Sequence, residues 1–253
     1  MLNLISQAKL LGSLPLDPLI HSFAYVGCLQ RPDRVAQVWK NDKDEIEGAL
    51  IDCGWSSYHM IANTRDAARE LVGRLPGASP EGWRLAFPEW AMRDVAELCP
   101  TAQLTFEVYH LCRFEDYKPP QPADVDILRL TPDLVERFVF DLELVKSVSG
   151  LTWQQCRCPI YAALVDGQIV SLADGTAMTD FIAIVQQVYT VPAYRRRGLA
   201  KAVVARLTEE VLALGRVCAY TAEYTNHDSL SLCRSLGYRP IAVFGSAQFE
   251  SDC

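Results

Sequence analysis

Val188-Tyr189-Thr190-Val191-Pro192-Ala193-Tyr194-Arg195-Arg196-Arg197-Gly198-Leu199-Ala200-Lys201-Ala202-Val203-Val204 is the stretch from which the rest of the chain is read. Its first four residues are β-branched or aromatic and read as the end of a strand, which Pro192 stops. From Ala200 onward, apolar residues recur at 200, 203, 204, 207, 211 and 214, the stripe of an amphipathic helix, and Gly215 closes it. Between strand and helix lie three arginines, a glycine and a small alanine. A helix N-terminus offers unpaired main-chain N–H groups and the positive end of the helix dipole. Gly198 and Ala200 keep bulky side chains away from those amides, while Arg195, Arg196 and Arg197 add positive charge. The turn is an anion-binding device, narrow enough to suit a diphosphate lying across the helix end. The two common nucleotide loops, Gly-x-x-x-x-Gly-Lys-Ser/Thr and Gly-x-Gly-x-x-Gly, do not occur.

Outward from this stretch the pattern stays regular. Toward the C-terminus, residues 217–224 (VCAYTAEY) read as a strand, 228–236 as a short helix ended by Gly237, and YRPIAVFGSAQFE as a final strand or strand pair. Toward the N-terminus, 181–191 is a strand too continuously apolar for an exposed edge. Residues 160–174 (IYAALVDGQIVSLAD) are two β-rich runs around Asp166-Gly167, a strong hairpin signal. Residues 124–130 read as a strand, and Thr131-Pro132-Asp133 opens a helix with Thr131 as N-cap. The predicted order is β-α-β-β-β-α-β-α-β, a mixed sheet with helices on its faces.

With those residues in place, the segment resembles the GNAT superfamily of acyl-CoA-dependent N-acetyltransferases. The superfamily's signature is Arg/Gln-x-x-Gly-x-Gly/Ala after a strand often written Val-x-Pro-x-Tyr-Arg. Arg195, Gly198 and Ala200 fill it here, with Val191-Pro192-Ala193-Tyr194 ahead. Asn226, Ser229, Leu236, Gly237 and Tyr238 resemble the superfamily's Asn-x-x-Ala/Ser and Leu-Gly-Phe/Tyr element. The resemblance covers about residues 125 to 250. It implies an α/β (α+β) fold with a mixed, mostly antiparallel sheet of GNAT type and helices on both faces. It implies acetyl-CoA as co-substrate and no metal. Pantetheine would lie between the strands ending at Val191 and near Tyr224, bonded to main-chain groups of Val188 and Thr190. The diphosphate would sit on the amides of Arg196, Arg197, Gly198, Leu199, Ala200 and Lys201. Asn226, with Ser229 in the same element, would meet the pantetheine arm or the turn beside it. The acyl carbonyl would meet an amide near Val188 or Tyr189, an oxyanion-type contact.

The first half carries a fainter copy of the same order. RVAQVWKND and EIEGALIDC read as a hairpin, WSSYHMIA as a strand and RDAARELVGRL as a helix. Strand WRLAF, helix EWAMRDVAELC and strand AQLTFEVYHLC follow. Two related halves in tandem is one reading and an unrelated α/β domain the other. The whole chain is similar to GNAT proteins with a degenerate GNAT-like first half, as in zwittermicin-resistance-type acetyltransferases and glycine N-acyltransferase-like enzymes. The turn matching the phosphate loop is Asn63-Thr64-Arg65-Asp66-Ala67-Ala68, which lacks glycine and holds a repelling Asp66. This half is therefore expected not to bind CoA, and to roof the acceptor site or mediate homodimer contacts. EDYKPPQPADVD (115–126), rich in proline and acid, separates the halves. The expected layout is a degenerate domain over 1–114, a linker over 115–124 and an acyltransferase domain over 125–253.

Acyl transfer needs a neutral amine, so a base or water relay must take a proton. Direct attack also returns a proton to the CoA thiolate. The resemblance implies a Tyr for that second task on the helix after Asn226, and Cys233 stands at the matching position. Cys233 reads either as a proton donor, with an ordinary thiol pKa of about 8.5, or as a core-packing residue. Glu223, near the end of its strand, reads either as the base or as a solvent-facing carboxylate. Tyr189 and Tyr224 are alternatives for lining the pocket or protonating the thiolate, and Tyr194 braces the loop. His227 reads as a base or as an exposed residue at a helix start. His21, His59 and His110 have no partner spacing and read as structural. The acceptor region of the superfamily falls at about 134–153, where Glu143, Ser149 and Trp153 are candidates. Retention of the cradle without turnover, as a CoA-binding regulatory module, is the alternative function.

Composition sets outer bounds. Of 253 residues half are hydrophobic and 22% charged, which excludes a disordered polyampholyte. A net charge of -7 argues against a general nucleic-acid binder and mildly favours a cationic small-molecule amine, such as an amino sugar, with an amino acid also open. No apolar run is long enough to span a bilayer, and no basic cluster precedes the N-terminal apolar residues, so neither a membrane nor a secretory signal is expected. Nine irregularly spaced cysteines suit a reducing, cytoplasmic setting better than a disulfide framework. Cys156-x-Cys158 lacks the second ligand pair of a zinc site.

Overall fold

The computed structural model of the chain describes residues 2–14, 17–54, 57–75, 82–121, 124–131, 134 and 159–250. Most of the helix expected after Thr131, the acceptor candidates Glu143, Ser149 and Trp153, and the Cys156-x-Cys158 pair lie outside them. The chain forms two compact units, residues 1–108 with 242–253, and residues 109–241.

The first unit has strands in the order β1-β2-β3-β4-β5-β12. These are β1 (Leu2–Ser6), β2 (Val35–Lys40), β3 (Ile46–Gly54), β4 (Ser57–Ala62), β5 (Trp83–Pro88) and β12 (Arg239–Phe249). Helices α1 (Gln7–Ser13) and α2 (Ser22–Gln30) precede β2, α3 (Arg65–Val72) joins β4 to β5, and α4 (Met92–Leu98) follows. The period-two alternation of β5 buries Trp83, Leu85 and Phe87. Those side chains join Met60, Leu71 and Val95 in one core, while Leu10, Ala24, Val38 and Ile51 form a second under α1 and α2. β5 pairs antiparallel with β12 from Phe244↔Pro88 to Phe249↔Trp83, and the Trp83 and Phe249 rings stack 3.8 Å apart. The end of the chain thus completes the sheet of its first half, a pairing that local sequence does not announce. β4 runs parallel to β5 only over Ser57–His59 and Arg84–Ala86.

The second unit places its strands in the order β6-β11-β10-β9-β8-β7. β6 (Gln103–Cys112) enters this unit at Tyr109. β7 (Asp126–Arg129), β8 (Ile160–Val165), β9 (Gln168–Met178) and β10 (Ile182–Thr190) form an antiparallel run. The β8–β9 turn has φ of 51° at Asp166 and 74° at Gly167, the double positive φ of a type I′ hairpin. α5 (Leu199–Ala213) buries Val203, Val204, Leu207 and Val211, the stripe expected from their spacing. Then come β11 (Val217–Glu223) and α6 (His227–Ser235). At the start of the proline-rich stretch Tyr117 Oη donates to Glu209 at 2.9 Å and the Lys118 amide to the Leu236 carbonyl at 2.9 Å. β10 and β11 are parallel and paired from Ile182↔Val217 to Val185↔Tyr220. Beyond that pair β10 runs on to Thr190 and β11 to Glu223 without pairing to each other, which opens a gap beside the start of α5.

Candidate functional site

On the β10 side of the gap lies a cavity of about 650 Å³, walled by the end of β10, the loop that opens α5 and one side of α6. Gly198 is the N-cap of α5, with φ of 80° and no side chain capping the helix. An added Cβ there would meet none of the described residues within 4 Å, so they leave the space before the helix mouth open. The first intrahelical bond is from the Ala202 amide to the Gly198 carbonyl, at 3.0 Å. The amides of Leu199, Ala200 and Lys201 therefore end the helix without intrahelical acceptors, and no acidic residue sits in this first turn. What the turn offers is a row of outward N–H groups with the dipole's positive end behind them.

The loop is held by its own side chains. Arg195 Nε donates to the Thr190 carbonyl at 3.1 Å, tying the loop back to β10. The Arg197 guanidinium lies 5.3 Å over the Tyr194 ring, and Arg197 itself is not part of the cavity wall. Arg196, with φ of 63°, reaches Asp228 at the start of α6 with 3.3 Å between nitrogen and oxygen. Two of the three arginines thus fix the turn, and the third spans toward α6.

On β10, the Val191 amide donates to Val170 of β9 at 2.9 Å, and Tyr189 accepts Ser171 Oγ at its carbonyl at 2.9 Å. Alternation along the strand then turns the main-chain groups of Val188 and Thr190 toward the gap. Thr190 Oγ1 is held 2.7 Å from Ser171 Oγ, which fixes this end of the strand. Tyr189 lines the cavity and packs on the core of Leu130, Ile160 and Leu172. Asn226 caps α6 by accepting the Ser229 amide at 3.1 Å, and Ser229 Oγ lies 2.9 Å from the Tyr220 hydroxyl. Burial pushes Tyr220 up to about 12.

The structure brings Val188, Tyr189, Thr190, Arg195 and Arg196 together around one cavity with Gly198, Leu199, Ala200, Lys201, Asn226 and Ser229. Five sequence candidates, Arg197, Glu223, Tyr224, His227 and Cys233, stand outside that wall. Cys233 is fully buried, donates its thiol to the Leu230 carbonyl at 3.3 Å, and is pushed up to about 11 by burial. It is outside the cavity wall and packs as a core residue. Glu223 is exposed at the end of β11 and is also outside that wall. Sequence reasoning missed the outer wall, Asp228, Ser231, Leu232 and Ser235. Their spacing is one side of a helix, a signal present in the sequence but not distinct from an ordinary exposed face.

The first unit repeats this plan with its mouth stopped. Thr64 caps α3 by accepting the Ala67 amide at 3.2 Å, Asp66 stands in the first turn, and Arg65 and Arg69 are engaged by the buried Asp94 at 2.8 Å each. Among the described residues no cluster of three or more His, Cys, Asp or Glu is placed to hold a metal, and no helix is long and apolar enough to cross a membrane.

Known proteins of this construction match the chain. A GCN5-related N-acetyltransferase-like protein from Streptococcus suis superimposes with a TM-score of 0.67 at 20% identity, covering 96% of this chain and 98% of that one. A Drosophila protein gives a TM-score of 0.69 at 14% identity over 100% and 99% of the two chains. A tandem GNAT protein from the clavulanic acid biosynthesis pathway gives 0.58 at 14% over 100% and 99%. These likenesses show the fold, a mixed and mostly antiparallel sheet flanked by helices. A search of curated proteins finds no match. The family model described as GNAT acetyltransferase matches residues 19–244, and the chain belongs to that family.

Proposed function

We propose that this protein transfers an acetyl group from acetyl-CoA to the primary amine of a small molecule, the amine attacking the thioester directly. The observation that carries this reading is the uncapped mouth of α5, with Gly198 clearing its approach. A diphosphate fits there by charge and by donor geometry. The outward main-chain groups of Val188 and Thr190 suit an amide-bearing arm laid along the gap in strand fashion, with Tyr189 beside it. The cofactor supplies an activated acyl group; the chain's own residues bind and orient it, and a main-chain amide near Val188 steadies the carbonyl oxygen as charge grows on it. Family and fold support acyl transfer in general, and the six described cysteines, all free thiols, suit a cytoplasmic setting.

One observation favours a second reading. Cys233 is a core residue where a proton-donating Tyr is expected, which fits a CoA-binding regulatory module without turnover. Release of free thiol from acetyl-CoA with spermidine, glucosamine, kanamycin and lysine separates the two. Amine-dependent release supports the enzyme; a protein that binds CoA yet releases no thiol with any amine supports the module.

A further inference from the structure

The hydroxyl groups around the cavity differ in where their hydrogens go. Ser171 Oγ donates to the Tyr189 carbonyl, so in its 2.7 Å contact with Thr190 Oγ1 it accepts, and the Thr190 hydrogen is spent inside the sheet. Ser235 Oγ donates to the Leu232 carbonyl at 2.8 Å, within its own helix. Ser229 is different. Its amide is taken up by Asn226, and among the described residues its Oγ is bonded to one group, the Tyr220 hydroxyl at 2.9 Å.

Burial decides which of these two hydroxyls donates. Tyr220 is 2% exposed, and its ring packs edge-on against Tyr238 with the centroids 5.8 Å apart. Ser229 Oγ is the partner of its hydroxyl, so a Tyr220 hydrogen pointing anywhere else would be buried and unsatisfied. Tyr220 therefore donates and Ser229 accepts. A serine oxygen that accepts still carries a hydrogen of its own, and Ser229 stands in the cavity wall. The pair presents one oriented O–H to the cavity.

The depth of that O–H follows from the register. Tyr220 pairs with Val185, the last pair of β10 with β11, so its ring rises from the closed end of the gap. Val188, Tyr189 and Thr190 lie beyond that pair, on the way to the mouth of α5. A ligand with its diphosphate at the mouth and its arm along β10 brings the tip of the arm toward the closed end, from which Tyr220 holds Ser229. Ser229 is also the third residue of α6, so the positive end of that helix backs the same place.

Resting on the reading that acetyl-CoA occupies this cavity, we propose that Ser229 is a catalytic residue that donates a hydrogen bond to the departing sulfur, with Tyr220 as its positioning residue. The neutral amine attacks the thioester carbonyl, the C–N bond forms, and the C–S bond breaks with its electron pair going to sulfur. The Ser229 hydrogen stays on Oγ and shares the new charge. The excess proton of the product nitrogen passes through water to the thiolate. A donor fixed before the charge develops needs no reorganisation when it does.

The test uses the full chain and CoA enriched with 13C at the carbon that bears sulfur, whose shift follows ionisation of the bound thiol and needs no acceptor amine. Bound to wild type, the thiol should titrate below that of free CoA. Ser229→Ala should raise it by about one pH unit, a tenfold loss of thiolate stabilisation, and Tyr220→Phe should fall between. With an amine that turns over, Ser229→Ala should lower kcat about tenfold and leave KM unchanged. A thiol that titrates in Ser229→Ala as in wild type, or a rise produced by Tyr189→Phe and not by Ser229→Ala, overturns the assignment. A wild-type value in Tyr220→Phe overturns its positioning role. Absence of CoA binding to wild type by calorimetry instead defeats the reading beneath it.

Discussion

Arg195 and Arg196 are adjacent, equally charged and unequal in what they do. Arg195 ties the loop to the Thr190 carbonyl, so its effect on the cofactor runs through loop geometry. Arg196 pairs with Asp228 where both side chains are over four-fifths exposed, and such pairs contribute little to stability. Arg195→Ala should therefore weaken CoA binding about tenfold, the worth of one hydrogen bond made by a charged group. Arg196→Ala should leave the melting temperature unchanged and weaken CoA only as salt falls, through lost long-range charge. Titration calorimetry at two ionic strengths checks both; equal losses from the two variants contradict the division of labour. At this scale the sequence was legible where a residue's type dictates its use, as at Gly198. It was not where burial decides: Asp174 of β9 is fully buried, yet in the sequence it reads like any acid on a strand.

At the scale of elements, α6 stands at the cavity with its capping side chain, Asn226, in the wall. Asn226→Ala should lower stability by about 1 kcal/mol and Asn226→Asp by much less, because aspartate caps as well. Denaturant unfolding of both variants checks this, and equal losses would assign Asn226 another structural role. Elements with a clear period were legible, since α5 follows its apolar stripe and the β8–β9 hairpin follows Asp166-Gly167. β1, α1 and α2 were not. α2 (SFAYVGCLQ) is apolar on every side and shows no stripe, and α1 spans seven residues. The pairing of β12 with β5 joins residues far apart in sequence, and no short-range pattern encodes such a partner. In the site the glycine turn that opens α5 was legible, while the extent of the gap depends on where the β10–β11 pairing stops.

On the scale of the whole molecule, the two units share a plan and differ in what they expose. In the first, His59 is buried, neither ring nitrogen has a hydrogen-bond partner among the described residues, and burial, with smaller contributions from His21 and Arg84, lowers it to about 3 from an ordinary 6.5. Above pH 6.5 the imidazole is neutral folded or unfolded and pH does not matter. Below it the unfolded chain takes a proton that the folded chain refuses, so stability falls as pH drops toward 3. The slope from this one group is up to about 1.4 kcal/mol per pH unit. His59→Leu should flatten that acid loss in urea unfolding; an unchanged slope would place the acid sensitivity elsewhere.

The central claim is that the helix mouth at Gly198 grips CoA and that its counterpart at Thr64 does not. Isothermal titration of CoA into the wild-type chain and into Gly198→Asp tests it most directly. The account predicts one molecule bound per chain, and none in a variant that keeps the wild-type circular dichroism, because aspartate sets a negative side chain before the amides. Two molecules per chain, or an affinity that survives the substitution, would contradict it.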